Sequence, residues 1–238
     1  MRGTAVKIVQ QACGELGLPV PAYGLASQDQ TTIQLFALLN SCGNEMLNWM
    51  DWQFLIKDHE ITTNGTDVAY PRPSDFNSQI NQTIWDKGMR RPVRGPLSPQ
   101  QWSAIKNRIV SVGPFIMYRI NGDMVEFNRN PGVDTIVYQY VSNGWVEQYD
   151  NPAIHNQMIA NDNDIITYEF WLIVKMLKMR MWEAKGLDAT ALKKEFDTLY
   201  DAITGQDQGA PILNMSPRVR GALITSNNVP DGNYGIIP

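Results

Sequence analysis

Two histidines, His59 and His155, and two cysteines, Cys13 and Cys42, are the only imidazoles and thiols in the chain. A histidine base must reach the proton it takes, with a partner to orient it. His59 stands between Asp58 and Glu60 in a strand-like stretch and His155 lies in a polar connection, so both read as structural imidazoles. The cysteines show no Cys-x-x-Cys spacing and sit in helical-looking segments, as buried free thiols do. Asp162-Asn163-Asp164 resembles the opening of a calcium loop, but the sixth position is not glycine and Ile173 stands where the bidentate glutamate belongs. These aspartates are instead expected to cap a helix, where carboxylates satisfy free N–H groups and complement the dipole. Phosphate-loop, dinucleotide, zinc-protease and nucleophile-elbow signatures do not occur. No catalytic residue, metal ligand or cofactor is expected.

One basic cluster, Lys87, Arg90, Arg91 and Arg94, is followed by Lys106 and Arg108 and interleaved with Trp85 and Trp102. It has the composition to touch DNA or an acidic protein face, or to be a solvated hairpin edge kept from aggregating by its charge. Glu126 and Glu147 are the acids a glycan-cleaving alternative would use, although sequence spacing does not report carboxyl separation. Trp49, Trp52, Trp171 and Trp182 are expected on core faces rather than as a sugar platform.

The elements that must position these residues follow from periodicity. Thr4 is placed to cap a helix with Val6, Val9, Cys13 and Leu16 on one face and Gly17 at its end. Ser27-Gln28-Asp29-Gln30 reads as a capping box for a second helix over 28–50. From Trp52, Phe54 and Ile56 the period becomes that of a strand. Ser98-Pro99-Gln100-Gln101 opens a short helix over Trp102 and Ile105. Phe115–Ile120, Asn121-Gly122 and Asp123–Asn128 form a hairpin, and Thr135–Val141 a strand with Ile136, Tyr138 and Tyr140 on one face. Two further helices carry Phe170 to Trp182, ended by Gly186, and Leu192 to Ile203, capped by Asp188 and closed by Gly205.

Charged residues make up 18% of the chain, below the ~25% of an ordinary domain, while 19 Asn and 15 Gln make the polar surface amide-rich. The formal charge of −4 argues against a protein that coats DNA, which needs a basic excess. No stretch reaches the roughly 18 apolar residues of a membrane span, and the N-terminal residues lack the apolar run of a signal peptide. Folding in a cytoplasm, away from membranes, is expected. From Gln206 onward there are four Pro, four Gly and only four charged residues, with scattered Ile, Leu, Met and Val. Such a segment has no period with which to build its own core and is too apolar for a solvating tail, so it reads as an arm for a partner.

The expected fold class is α+β: a helical bundle from both chain ends (about 4–50 and 165–205), an inserted antiparallel β-rich region (51–164), and an extended C-terminal arm (206–238). The order of elements, with "WMDWQFLIKDHEITTNG", "GPLSPQQW" at 95–102, "YRINGDMVEFN" and the Asp-rich lead-in to a helix ending in Ala184-Lys185-Gly186, resembles the head-to-tail adaptor family of short-tailed bacteriophages, the tail tubular protein A-like or portal-proximal head completion proteins. The resemblance spans roughly residues 4 to 205. It implies a structural virion protein with no enzymatic activity, assembled in the host cytoplasm into a ring of twelve subunits at the head–tail junction. Such a ring joins the portal to the tail nozzle, helps seal the packaged head and touches channel DNA passively. It also implies that the arm docks on the portal, through Ile212, Leu213, Met215, Arg218, Arg220, Ile236 and Ile237. The alternatives are a virion-associated cell-wall hydrolase and a glycan- or receptor-binding tail module.

Overall fold

A computed structural model of the protein describes residues 2–107 and 115–207. Strand β1 (Gly3–Thr4) leads into helices α1 (Ala5–Leu16) and α2 (Gln30–Met46). A 3-10 turn over Gln53–Leu55 opens β2 (Ile56–Thr62), followed by β3 (Ala69–Pro71), β4 (Phe76–Gln79), β5 (Trp85–Asp86) and β6 (Arg91–Pro92). After helix α3 (Pro99–Lys106) come β7 (Tyr118–Asn121), β8 (Met124–Phe127) and β9 (Thr135–Ser142). Three two-residue strands follow, β10 (Val146–Glu147), β11 (His155–Asn156) and β12 (Ile165–Ile166), before helices α4 (Phe170–Ala184) and α5 (Thr190–Asp207).

These strands form three antiparallel sheets. The first runs β1-β12-β10-β11, the second β2-β9-β5-β6 with β4 also on β9, and the third β3-β8-β7. Long β9 organises the second sheet: β2 pairs along its length from Ile56↔Val141 to Thr62↔Thr135, while β4 and β5 share its other edge. Two apolar cores result. One gathers Ile8, Leu35, Leu39, Trp52, Trp145, Tyr168 and Leu177 from helices and the first sheet; the other gathers Tyr118, Phe127, Ile136 and Tyr138 between the second and third sheets.

The expected division into a bundle from both chain ends and one β insertion is therefore incorrect. Helices occupy the N-terminal and the middle-to-C-terminal stretches, several separate sheets lie among them, and α3 falls inside the supposed insertion. β1 precedes α1 and pairs with β12, so the chain begins in a sheet. Val146 and Ile166 of that sheet share a core with the helices. The polar stretch 142–167 conceals this arrangement, because its two-residue strands are too short to show a period of two.

Local chemistry explains the remaining shifts in boundary. Thr4 makes no side-chain cap; the first N–H groups of α1, on Ala5 and Val6, donate instead to the carbonyls of Asp164 and Asp162 at 2.9 and 3.0 Å. Helix α2 is capped by Asp29, whose carboxylate accepts from the Thr32 N–H at 3.0 Å, while Ser27 Oγ accepts from the Asp29 N–H. The helix stops at Met46 rather than 50, and the Trp52 indole donates to the Met46 carbonyl at 2.8 Å, satisfying a group left open at the helix end. Trp52 to Phe54 thus belong to a turn, not to a strand. Helix α5 runs through Gly205 to Asp207. The capping box at Ser98 and Gln101 is formed as the residue types require. In the β7–β8 hairpin the loop is Gly122-Asp123, since Asn121 still pairs with Met124, and glycine supplies the positive φ of 56°.

Candidate functional site

The seven residues Ile212, Leu213, Met215, Arg218, Arg220, Ile236 and Ile237 lie outside the described residues, and so does Arg108. What is described is the point from which the terminal segment departs. Helix α5 lies against α4 and buries one side chain fully, Phe196. Around it Trp49 meets Phe196 and Tyr200 edge-on at 5.7 and 5.5 Å, and Phe196 stacks on Tyr200. The last residue of α5 is tied down as well, because the Asp207 carboxylate accepts from the Gln53 N–H at 3.0 Å. Between α4 and α5 an open groove of about 600 Å³ is lined by Lys175, Ala191, Lys194, Thr198, Leu199 and Ala202, with the Lys175–Glu195 ion pair (2.9 Å) at its side. One face of the helix thus lines this groove while Phe196, Tyr200 and Asp207 hold it against the body.

The basic cluster does not converge into one patch. Lys87 pairs with Glu60, Arg91 turns back toward the Met89 sulfur, and Arg94 lies over the Phe115 ring at 3.7 Å. Trp102, nearly buried, is covered by two cations, Lys106 at 5.2 Å and Arg119 at 4.6 Å. Lys87, Arg90, Arg94 and Lys106 are exposed and Arg91 is half-buried, with Arg90 at a turn where it takes φ = 49°.

Both histidines are half-buried. His59 packs edge-on against Tyr138 at 5.3 Å, and burial holds its pKa below the ordinary imidazole value. His155 is likewise depressed, by burial and then by the Lys57 ammonium. Between them lies a node that residue patterns do not announce. Asp75 accepts from Lys57 Nζ, Tyr140 OH and Ser142 Oγ, each at 2.8 Å. Burial opposes its charge, but these three donors outweigh burial and keep its pKa below the usual carboxylate range. Ser142 Oγ also accepts from the Gly144 N–H. The node is saturated and ties β2, β4 and β9 together.

The aspartates expected to cap a helix do something else. Asp162 accepts from the N–H groups of Gly24 and Leu25 (2.9 and 2.7 Å), clamping the α1–α2 link. Buried Asp164 accepts from Ala160, Asn161 and Tyr149 N–H groups. The cap of α4 is Glu169, accepting from Trp171 and Leu172. Among the tryptophans, Trp52 is buried, whereas Trp171 is 45% exposed and Trp49 37%, against expectation; Trp145, fully buried against α2, was not singled out by its pattern. Cys13 and Cys42 are buried free thiols, and burial pushes Cys42 up to about 12, which disfavours the thiolate at neutral pH.

Glu126 and Glu147 stand in different sheets. Hydrogen bonds from Asn121 and Arg119 hold the Glu126 carboxyl below its ordinary pKa, the opposite of what a general acid at neutral pH needs. Glu147 pairs with Arg2 at 3.2 Å. Among the described residues no three His, Cys, Asp or Glu side chains gather as a metal-ligating group, and no described helix is long and apolar enough to cross a membrane. No protein-family model matches the chain, and no curated protein matches it.

Proposed function

We propose that this protein is a structural adaptor of a bacteriophage particle. Copies of it form a ring, of twelve subunits in the family it resembles, at the head–tail junction. The ring joins the portal to the tail nozzle and helps close the filled head, and DNA passes it without specific readout. The observation that carries this reading is the junction at the end of α5. A helix pinned to the body by Phe196 and by Asp207 on Gln53 leads directly into 31 further residues of apolar, proline- and glycine-bearing sequence. Helix α5 supplies a firm root for a segment whose sequence reads as an arm for a partner. Ordering such a segment costs on the order of 1 kcal/mol per residue or more, so it needs a large surface to dock on, and a portal ring offers many equivalent ones. The saturated polar nodes at Asp75 and Asp164 also fit a protein that works through rigid surfaces.

Electron microscopy of the full chain mixed with portal rings tests this directly. Density for a ring seated on the portal is expected, together with its loss when residues 208–238 are removed from a body that remains folded by circular dichroism. Portal binding at unchanged affinity by the truncated chain overturns the role of the segment; no binding by the full chain overturns the adaptor reading.

A further inference from the structure

The second sheet has an inner face in the core and an outer face toward solvent, and the outer face carries a depression of about 330 Å³. This is within the range of ligand pockets, roughly 300–1,000 Å³. Its apolar floor is Trp85 on β5 and Val137 on β9, which are direct cross-strand partners. Alternation explains the arrangement: Ile84 and Asp86 point inward at 2% and 1% exposure, so the large indole between them must point out. Trp85 belongs to neither apolar core. An outward tryptophan that no described ring covers presents its face to whatever enters the depression.

The rim is polar, and the neighbouring cation Lys87 is engaged by Glu60, the other cross-strand partner of Val137. Asp58 and Gln139 are opposite each other on β2 and β9, and Gln139 Nε2 donates to Asp58 Oδ1 at 3.1 Å. That bond orients both groups and leaves Asp58 Oδ2 and Gln139 Oε1 without a partner among the described residues. Gln82 closes the rim with φ = 66°, a conformation that a non-glycine residue takes at a cost of about 1 kcal/mol and that strained sites often hold. Thr83 is fixed beside it, its Oγ donating to the Ile80 carbonyl at 2.7 Å and accepting from the Gln139 N–H at 3.1 Å.

We propose that this depression binds a neutral saccharide ring, its apolar C–H face against Trp85 and Val137 and its hydroxyls on Asp58, Gln139 and Gln82. Amides both donate and accept, and a carboxylate takes two hydroxyl protons, the complement of vicinal hydroxyls. An anionic ligand is disfavoured, since Asp58 stands in the lining and no Lys or Arg does. A purely apolar ligand would leave the rim's polar groups dry and unpaired. This inference does not rest on the adaptor reading, because none of the residues lining the depression belongs to the α5 junction.

Saturation-transfer difference NMR of the full chain with maltohexaose and with chitohexaose provides the test. Saturable transfer to ring C–H protons is expected from at least one of the two. Trp85→Ala should weaken it about tenfold or more, Gln139→Ala severalfold, and Trp171→Ala on α4 not at all, each read as a change in Kd. If Trp85→Ala fails to fold, Gln82→Ala and Gln139→Ala carry the test, since both side chains are exposed. Absence of saturable transfer with both sugars overturns the proposal, as does binding unchanged in Trp85→Ala or in both glutamine variants. Portal binding by the same variants should remain at the level of the unaltered chain.

Discussion

Asp86 is 1% exposed; its Oδ1 accepts from the Met89 N–H at 2.9 Å, while Oδ2 has no N–H or O–H donor among the described residues. Protonation of Asp86, on the side facing the Asp134 carboxyl, is the expected resolution. Burial and the neighbouring Asp134 carboxyl raise the Asp86 pKa, and Asp134, held by the N–H groups of Thr135 and Gly88, stays low. Arg91 is the nearby cation and Lys87–Glu60 the flanking pair. Because the folded chain holds this proton to higher pH than the unfolded chain, the contribution of Asp86 to stability is fully present below the ordinary aspartate range and is lost as pH rises through its folded value, opposite in sign to that of the lowered carboxylates Asp75, Glu126 and Asp134. The urea midpoint of the unaltered chain minus that of Asp86→Asn, which keeps a donor toward Asp134, should fall between about pH 4 and 8; parallel pH profiles in the two proteins would refute a proton held by Asp86. Lys178 gives a second case: it is 6% exposed and pairs with Glu15. Removing Glu15 strands a buried ammonium, so Glu15→Ala should cost about 3 kcal/mol, whereas Lys178→Met should be nearly neutral. The reverse order in thermal melts would show the pair to be stabilising in itself.

Helix α2 approaches the first sheet so closely that a Cβ on Gly43 would lie 2.3 Å from the Trp145 ring; the Tyr168 hydroxyl donates to the Gly43 carbonyl at the same crossing. Gly43→Ala should therefore destabilise by about 1–3 kcal/mol through overpacking, despite the ~1 kcal/mol that alanine gains over glycine in a helix. A stabilised variant in calorimetry would mean that Trp145 repacks freely. Helix α5 depends on Phe196. Phe196→Ala should cost about 3 kcal/mol or more and, by hydrogen exchange, expose α5 amides selectively while α1, α2 and α4 stay protected. Uniform loss of protection would make α5 part of a single cooperative unit.

At the scale of the molecule, two cores meet along β9. Its inward residues Ile136, Tyr138 and Tyr140 enter the core between the sheets, and Val141 at its end enters the helical core. The described body is thus a coupled frame, with the saccharide depression on one outer face and the terminal segment leaving from α5. Removing residues 208–238 should change the melting temperature little, because that frame closes at the Asp207–Gln53 contact; a large loss of stability would show that the segment packs as part of the core.

Some of this is legible in the sequence alone, where the controlling interaction is local. The existence of α1, α2, α4 and α5, the capping box at Ser98, the hairpin around Gly122 and the inward face of β9 follow from period, caps and turn residues within a few positions. Long-range interactions decided the rest. Whether Asp162 and Asp164 cap a helix or clamp a distant link, which two-residue stretches become strands, and whether helices and sheets separate into layers depend on partners far apart in sequence, as Gly3 of β1 and Ile166 of β12 are. The outward indole of Trp85 and the inward carboxyl of Asp86 invert the usual sorting of apolar and charged side chains. Only the pairing of β5 with β9 sets that orientation, because strand geometry sends neighbouring residues to opposite faces whatever their polarity.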